Sequence, residues 1–101
     1  MTFAMTEIET VRWGEARGII QNGQPMGQMV KLFEETTELF DAIHKKNKEE
    51  TIDAIGDIMV VLTMICGILD LNLADCYESA YQQIKDRKGY LRPDGVFVKS
   101  E

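Results

Sequence analysis

The run from Ile58 to Leu69, Ile-Met-Val-Val-Leu-Thr-Met-Ile-Cys-Gly-Ile-Leu, constrains the fold more than any other segment. It is hydrophobic on every helical face, and Asp57 and Asp70 bracket it. A helix of that kind needs several neighbours to cover it. The run is shorter than the ~20 apolar residues of a membrane span. A buried core helix is therefore expected, with no membrane association. The chain has 101 residues, so its neighbours must come from the same small domain, spanning 1–101. A domain this small buries a limited share of its apolar surface, and self-association would stabilise it.

Three further helices supply the neighbours. The first is expected from about Thr6 to Arg17, with Ile8, Val11 and Trp13 available for packing and Gly18 as its stop. Gln21-Asn-Gly-Gln-Pro-Met-Gly27 is rich in turn formers and reads as a loop. The second helix runs from about Gln28 to Lys45. Its apolar stripe is Leu32, Leu39 and Ile43, with Phe33, Thr36 and Phe40 nearby. The third, which contains the apolar run, begins near Glu49 or Glu50 and ends near Leu69. The fourth follows Asn72, a good N-cap, and runs to about Lys88 before Gly89. Pro93-Asp-Gly95 is a turn signal between Tyr90-Leu91 and Val96-Phe97-Val98, giving a short C-terminal hairpin or arm. The fold class is all-α, a four-helix bundle protomer with that appendage.

Four carboxylates on the two middle helices carry the chemical signal. Glu35 and Glu38 form an E-x-x-E pair, and Asp53 and Asp57 lie four residues apart just before the apolar run. Residues three or four apart share a helix face. If the two helices pack antiparallel, both pairs converge on one hard cation, and Mg²⁺ and phosphate chemistry follow. Asp53 and Asp57 align with Val60, Val61 and Met64, so they lead toward the core, where an unpaired carboxylate is costly. Glu34 falls opposite the apolar stripe, on the solvated side. A basic residue on a third element can neutralise phosphate charge, and Lys85, Arg87 and Lys88 are the candidates. Arg87 offers a planar fork suited to phosphate oxygens.

Other chemistries are excluded or disfavoured. The net charge of −6 argues against a nucleic-acid polymer as partner, which needs a basic face. It does not exclude a nucleotide, because a bound metal reverses the local sign. There is no P-loop and no Gly-rich dinucleotide fingerprint. A di-iron bundle needs two Glu-x-x-His motifs, and His44 is the single histidine. Cys66 and Cys76 lack metal-ligand spacing and read as buried thiols of a reducing cytoplasm. The N-terminus has no basic region or long apolar run of the signal-peptide kind.

These segments together resemble the MazG-like all-α nucleoside triphosphate pyrophosphohydrolases, in particular short phage-type members. The resemblance rests on Arg17-Gly-Ile-Ile-Gln-Asn-Gly23, Lys31-Leu-Phe-Glu-Glu-Thr-Thr-Glu-Leu39, Asp53-Ala-Ile-Gly-Asp-Ile-Met-Val-Val-Leu62 and Ile84-Lys-Asp-Arg-Lys-Gly89, in that order. Gly95-Val-Phe-Val-Lys99 is similar to the phage-type tail. The family's metal motif is E-x-x-E followed by E-x-x-D. Glu35, Glu38 and Asp57 match it directly, while the first acid of the second motif falls at Ala54. The resemblance then makes Asp53 the substitute ligand, Glu34 a supporting acid behind the ligands, and Lys85 and Arg87 the triphosphate contacts.

The resemblance implies cleavage of a (d)NTP between the α- and β-phosphates, giving the monophosphate and pyrophosphate. The cofactor is Mg²⁺, with Mn²⁺ as the alternative. A metal-activated water is the nucleophile, and Glu35 or Glu38 takes its proton. The protein is expected to be a homodimer or homotetramer, with Trp13, Asn22 and Gln82 as candidate base or sugar contacts. The competing expectation, which Ala54 keeps open, is a non-catalytic helical homo-oligomer that binds nucleotide or a partner protein. A third is an acidic bundle with no ligand, in which Asp57→Asn is neutral or stabilising because it removes buried charge.

Overall fold

A computed structural model describes residues 1–100. α1 spans Phe3–Ala16 and is capped by Thr2, whose hydroxyl accepts from the Met5 N–H at 3.1 Å. That cap starts the helix earlier than its apolar pattern indicates. Gly18, in the left-handed region with φ 77°, reverses the chain. α2, Ile19–Asn22, is a single turn. α3 spans Pro25–His44, with Pro25 in its first turn, where the missing N–H costs nothing. The expected loop Gln21–Gly27 is thus shortened at both ends, because Gly18 makes the turn and Pro25 opens the helix.

α4, Lys48–Ile68, is capped by Asn47, which accepts from the Glu50 N–H at 3.1 Å. α5, Leu73–Ile84, is capped by Asn72, which accepts from the Asp75 N–H at 3.0 Å. It stops four residues before the expected end, so Lys85, Arg87 and Lys88 lie beyond the helix. The tail is an antiparallel hairpin of β1, Gly89–Leu91, and β2, Phe97–Lys99, with Tyr90 opposite Val98.

The fold is all-α apart from that hairpin. α3 and α4 form a long helical hairpin, and α3 packs on no other helix. α1, α2 and α5 dock on α4. α1 and α2 meet α4 where glycines allow it. A Cβ on Gly14 would lie 2.6 Å from Met64 Sδ, and one on Gly67 2.6 Å from Ile20 Cδ1. Glu7 of α1 is buried, and its carboxylate accepts the Leu73 and Ala74 N–H groups at the start of α5. A buried acid thereby satisfies two free donors and meets the positive end of a helix.

The core is smaller than the apolar run suggests. Ala42, Ala54, Val61, Met64 and Cys66 are its buried apolar residues, and Ile52, Ile55 and Leu69 stay exposed. By length and composition α4 could also cross a membrane, and 28% of its apolar stretch is buried in the protomer. Within one protomer α4 therefore lacks the full set of neighbours its composition calls for. The packed stripe of α3 is Leu32, Glu35, Leu39 and Ala42. Ile43, expected in the stripe, faces outward, as do Phe33 and Phe40, expected beside it.

Candidate metal centre

The site lies on the seam between α3 and α4. Glu35, Glu38 and Asp57 each offer a carboxylate oxygen, and the three oxygens lie within 4.8 Å of one another. Glu35 sits in the packed stripe, 5% exposed, because its position follows the spacing of Leu32, Leu39 and Ala42. One of its oxygens holds the Lys31 ammonium at 3.3 Å. The other, Oε2, is buried with no hydrogen-bond partner. A buried carboxylate oxygen without a partner is costly. Lys31 also reaches Glu34 at 3.6 Å, so Glu34 stands behind the site on the exposed side.

The electrostatics are those of crowded carboxylates. The Glu38 carboxyl is held above the usual glutamate range, first by the Glu35 carboxylate beside it. Repulsion from the Glu35 charge follows, then burial, with Lys31 opposing and Asp57 adding. The Lys31 ammonium is held above the usual lysine range, first by its hydrogen bond to Glu35. Carboxylates this close resist ionising together unless a positive charge lies between them. A divalent cation satisfies that requirement. Glu38 and Asp57 are exposed and line the cleft, so with Glu35 they would hold such an ion.

From this cluster a cleft of about 300 Å³ runs along the seam. Glu38, Asp41 and Lys45 of α3 form one wall, and Glu50, Asp53, Ala54 and Asp57 of α4 form the other. Asp53 therefore shares the cleft with Asp57 without joining the three-oxygen group. Asp53 and Asp57 are exposed and do not lead into the core, because their half of α4 borders an open seam. Of the four expected ligands the buried one is Glu35. Asp41, Lys45 and Glu50 were not among the expected site residues. The signal that finds them is the spacing of 38, 41 and 45 against 50, 53 and 57, two facing rows at helical intervals.

The other expected contacts lie elsewhere. Lys85, Arg87 and Lys88 do not line the cleft. Trp13 is 42% exposed. Its ring carries the Arg17 guanidinium at 4.5 Å, and it borders an apolar groove with Thr6, Thr10 and Val60. The Asn22 amide donates to the Gly18 carbonyl at 3.0 Å, and Gln82 is exposed on α5. Within one protomer none of these reaches the carboxylates. Cys66 is buried as expected, whereas Cys76 is exposed, because α5 buries none of its residues.

Fold and site together define an all-α protein with a carboxylate cluster as its candidate functional site, built on one helical hairpin. The family profile of the MazG nucleotide pyrophosphohydrolase domain matches residues 24–91, and the chain belongs to that family. The matched region contains α3, α4, α5 and β1, and so the whole carboxylate cluster. A similar protein is an uncharacterized 18.2 kDa protein in the rep-hol intergenic region of Haemophilus phage HP1. The two are 33% identical over 54 residues, covering 54% of this chain and 33% of that protein. The match spans about a third of the relative's length. No solved structure matches the chain.

Proposed function

We propose that the protein is a Mg²⁺-dependent nucleoside triphosphate pyrophosphohydrolase, converting a (d)NTP to the monophosphate and pyrophosphate. Family membership supports the reaction class. The observation that carries the metal assignment is the buried, unpartnered Oε2 of Glu35 within a three-carboxylate group. Glu35, Glu38 and Asp57 would hold the ion, with Asp53 next to them on the cleft wall. Mn²⁺ suits the same oxygen donors. When bound, the cation lowers the pKa of its water and screens the phosphate charge.

The chain's own residues supply the rest. Lys31 fixes the Glu35 carboxylate by an ion pair and links it to Glu34. Glu38, whose carboxyl already favours holding a proton, is suited to take one from the attacking water. Glu35 is the alternative acceptor. The basic residues after α5, Lys85, Arg87 and Lys88, remain the proposed triphosphate contacts. Trp13, Asn22 and Gln82 remain the proposed base or sugar contacts. In one protomer both sets stand away from the cleft, so they would serve it across a subunit interface. The protein then acts as a homodimer or homotetramer, on free nucleotide rather than nucleic acid, in the cytoplasm and away from membranes.

A second reading has one observation in its favour. Ala54, where the family's second acidic motif begins, is buried in the seam at 4% exposure and cannot bind a cation. A non-catalytic homo-oligomer that binds nucleotide or a partner protein fits that loss. The deciding experiment incubates the protein with a panel of NTPs and dNTPs, in Mg²⁺ or EDTA, and measures monophosphate, pyrophosphate and orthophosphate. Metal-dependent pyrophosphate release is expected, lowered by Glu38→Gln on the order of 10²-fold or more. Orthophosphate release refutes the cleavage position. No turnover, with a thermal shift still induced by Mg²⁺ and a non-hydrolysable NTP, establishes the binding protein.

A further inference from the structure

The cleft along the α3–α4 seam is acidic, with one cation in its lining. Glu38, Asp41, Glu50, Asp53 and Asp57 contribute carboxylates, Ala54 an apolar methyl, and Lys45 the single ammonium. Among the described residues no aromatic or large apolar side chain lines it, so nothing there can stack on a base. The nucleoside half of a nucleotide thus has no partner in this cleft. A polyanion has two: a cation held by the three carboxylates at one end, and Lys45 at the other.

Lys45 is held in place by the corner that joins the two helices. It is the C-cap of α3 and keeps helical backbone angles, φ −75° and ψ −10°. Lys46 follows in the left-handed region with φ 60°. Its N–H donates to the Ile43 carbonyl at 3.0 Å, and the Asn47 N–H donates to the Ala42 carbonyl at 3.0 Å. That pair of bonds closes a Schellman turn, and Asn47 then caps α4. Lys45 stands seven positions after Glu38, two turns on the same face and about 10.5 Å along the axis. A helical Cα–Cβ bond tilts toward the N-terminus of its helix, so the Lys45 side chain leaves the backbone on the side of Asp41 and Glu38. Among the described residues its ammonium is in no ion pair, whereas Lys31, beyond the carboxylates, is held by Glu35 and Glu34.

We propose that Lys45 binds the terminal phosphate of the triphosphate, so that the phosphate chain lies along the seam from Glu35, Glu38 and Asp57 to the α3–α4 corner. The inference rests on those carboxylates holding a cation, as proposed above. The spacing acts as a ruler. A chain of three phosphates anchored at the carboxylates reaches the Lys45 ammonium, and a single phosphate there does not. The acidic walls admit the chain only as its metal complex, because the bare polyanion would face five carboxylates. The nucleoside is left at the end of the cluster away from Lys45. Unlike Lys85, Arg87 and Lys88, Lys45 serves the cleft from within the same protomer.

The test uses the full chain and does not depend on turnover. Calorimetry titrates Mn²⁺ alone, and then the Mn²⁺ complexes of inorganic triphosphate and of orthophosphate into the Mn²⁺-loaded protein. Lys45→Gln should weaken triphosphate binding about tenfold or more, with orthophosphate and Mn²⁺ bound as before. Lys45→Arg should recover most of the loss. Lys46→Gln removes the same charge from the same corner, outside the cleft lining, and should bind triphosphate as the wild type does. Equal losses in Lys45→Gln and Lys46→Gln would reduce Lys45 to general charge at a helix end and overturn the proposal. So would a Lys45→Gln variant that keeps its triphosphate affinity, or one that loses orthophosphate equally. A wild type that takes Mn²⁺ but no triphosphate overturns the proposal and spares the metal assignment. A wild type that takes no Mn²⁺ overturns both.

Discussion

Glu35 occupies a position that packing alone would give to leucine. Its neighbours along the buried stripe of α3 are Leu32, Leu39 and Ala42, and it keeps one oxygen without a partner. Such a residue weakens the fold, and a bound cation would relieve it. The consequence is measurable through Glu38. Its carboxyl holds a proton above the ordinary glutamate range, chiefly because of the Glu35 carboxylate beside it. The folded state therefore binds more protons than the unfolded chain between the ordinary value and the raised one. Stability falls as pH rises through that window, and the loss is complete above the raised value. In EDTA, Tm should drop as pH climbs from the ordinary glutamate range toward neutrality. Mg²⁺ takes the proton's place and should flatten the profile, and Glu38→Gln should flatten it without metal. Identical profiles in EDTA and Mg²⁺, for wild type and variant alike, would remove the metal from this site.

At the scale of elements, the Glu7 cap decides where α5 sits. Truncation by Glu7→Ala leaves the Leu73 and Ala74 donors unpaired at a buried helix start. The expected cost is about 2 kcal/mol, seen as a lower Tm and as faster exchange of α5 amides ahead of the rest of the chain. Uniform exchange across all helices would contradict that view of α5 as a separately held element. The sequence does not reveal this contact, because its partners lie 66 and 67 positions apart and Glu7 has no local partner to mark it. Contacts of short range were legible. Asn72 was recognisable as a cap, Pro93-Asp-Gly95 as a turn, and Glu35 with Glu38 as two carboxylates close along one helix, since each follows from spacing within a turn or two, whereas Asp57 comes near them only through the packing of α4 on α3. Helix limits set by a cap were read less well: Thr2 and Asn47 begin α1 and α4 earlier than the apolar pattern does. Burial was read least well. Asp53 and Asp57 were expected to enter the core, yet how far a helix face is covered depends on elements packed against it, and α3 packs on α4 alone.

At the scale of the molecule, one protomer leaves too much surface exposed. Its accessible area is 7847 Å², against ~5,800 Å² for a compact monomer of this mass. The Cα radius of gyration is 15.9 Å, against ~13 Å for a folded chain of about 100 residues. The excess, ~2,000 Å² on one chain, is more than the ~800 Å² per partner of a standard interface and falls in the range of obligate homodimers. The exposed surface includes an ordered apolar face. Met26, Val30, Phe33 and Phe40 recur at helical spacing on the side of α3 opposite Glu35, 58% to 75% exposed. A second copy is an occupant consistent with its acidic neighbours, because Glu34, Glu38 and Asp41 on the same helix disfavour a lipid surface. The double substitution Phe33→Glu and Phe40→Glu places like charges at that contact and should convert an oligomeric wild type to a monomer by light scattering. The carboxylates of the seam lie on the other face of α3, so Mn²⁺ binding by the hairpin should persist in the variant, while turnover falls if the triphosphate contacts come from the partner. A variant that stays oligomeric moves the interface to another face. A wild type that is monomeric removes the subunit-shared site, and the basic residues after α5 with it.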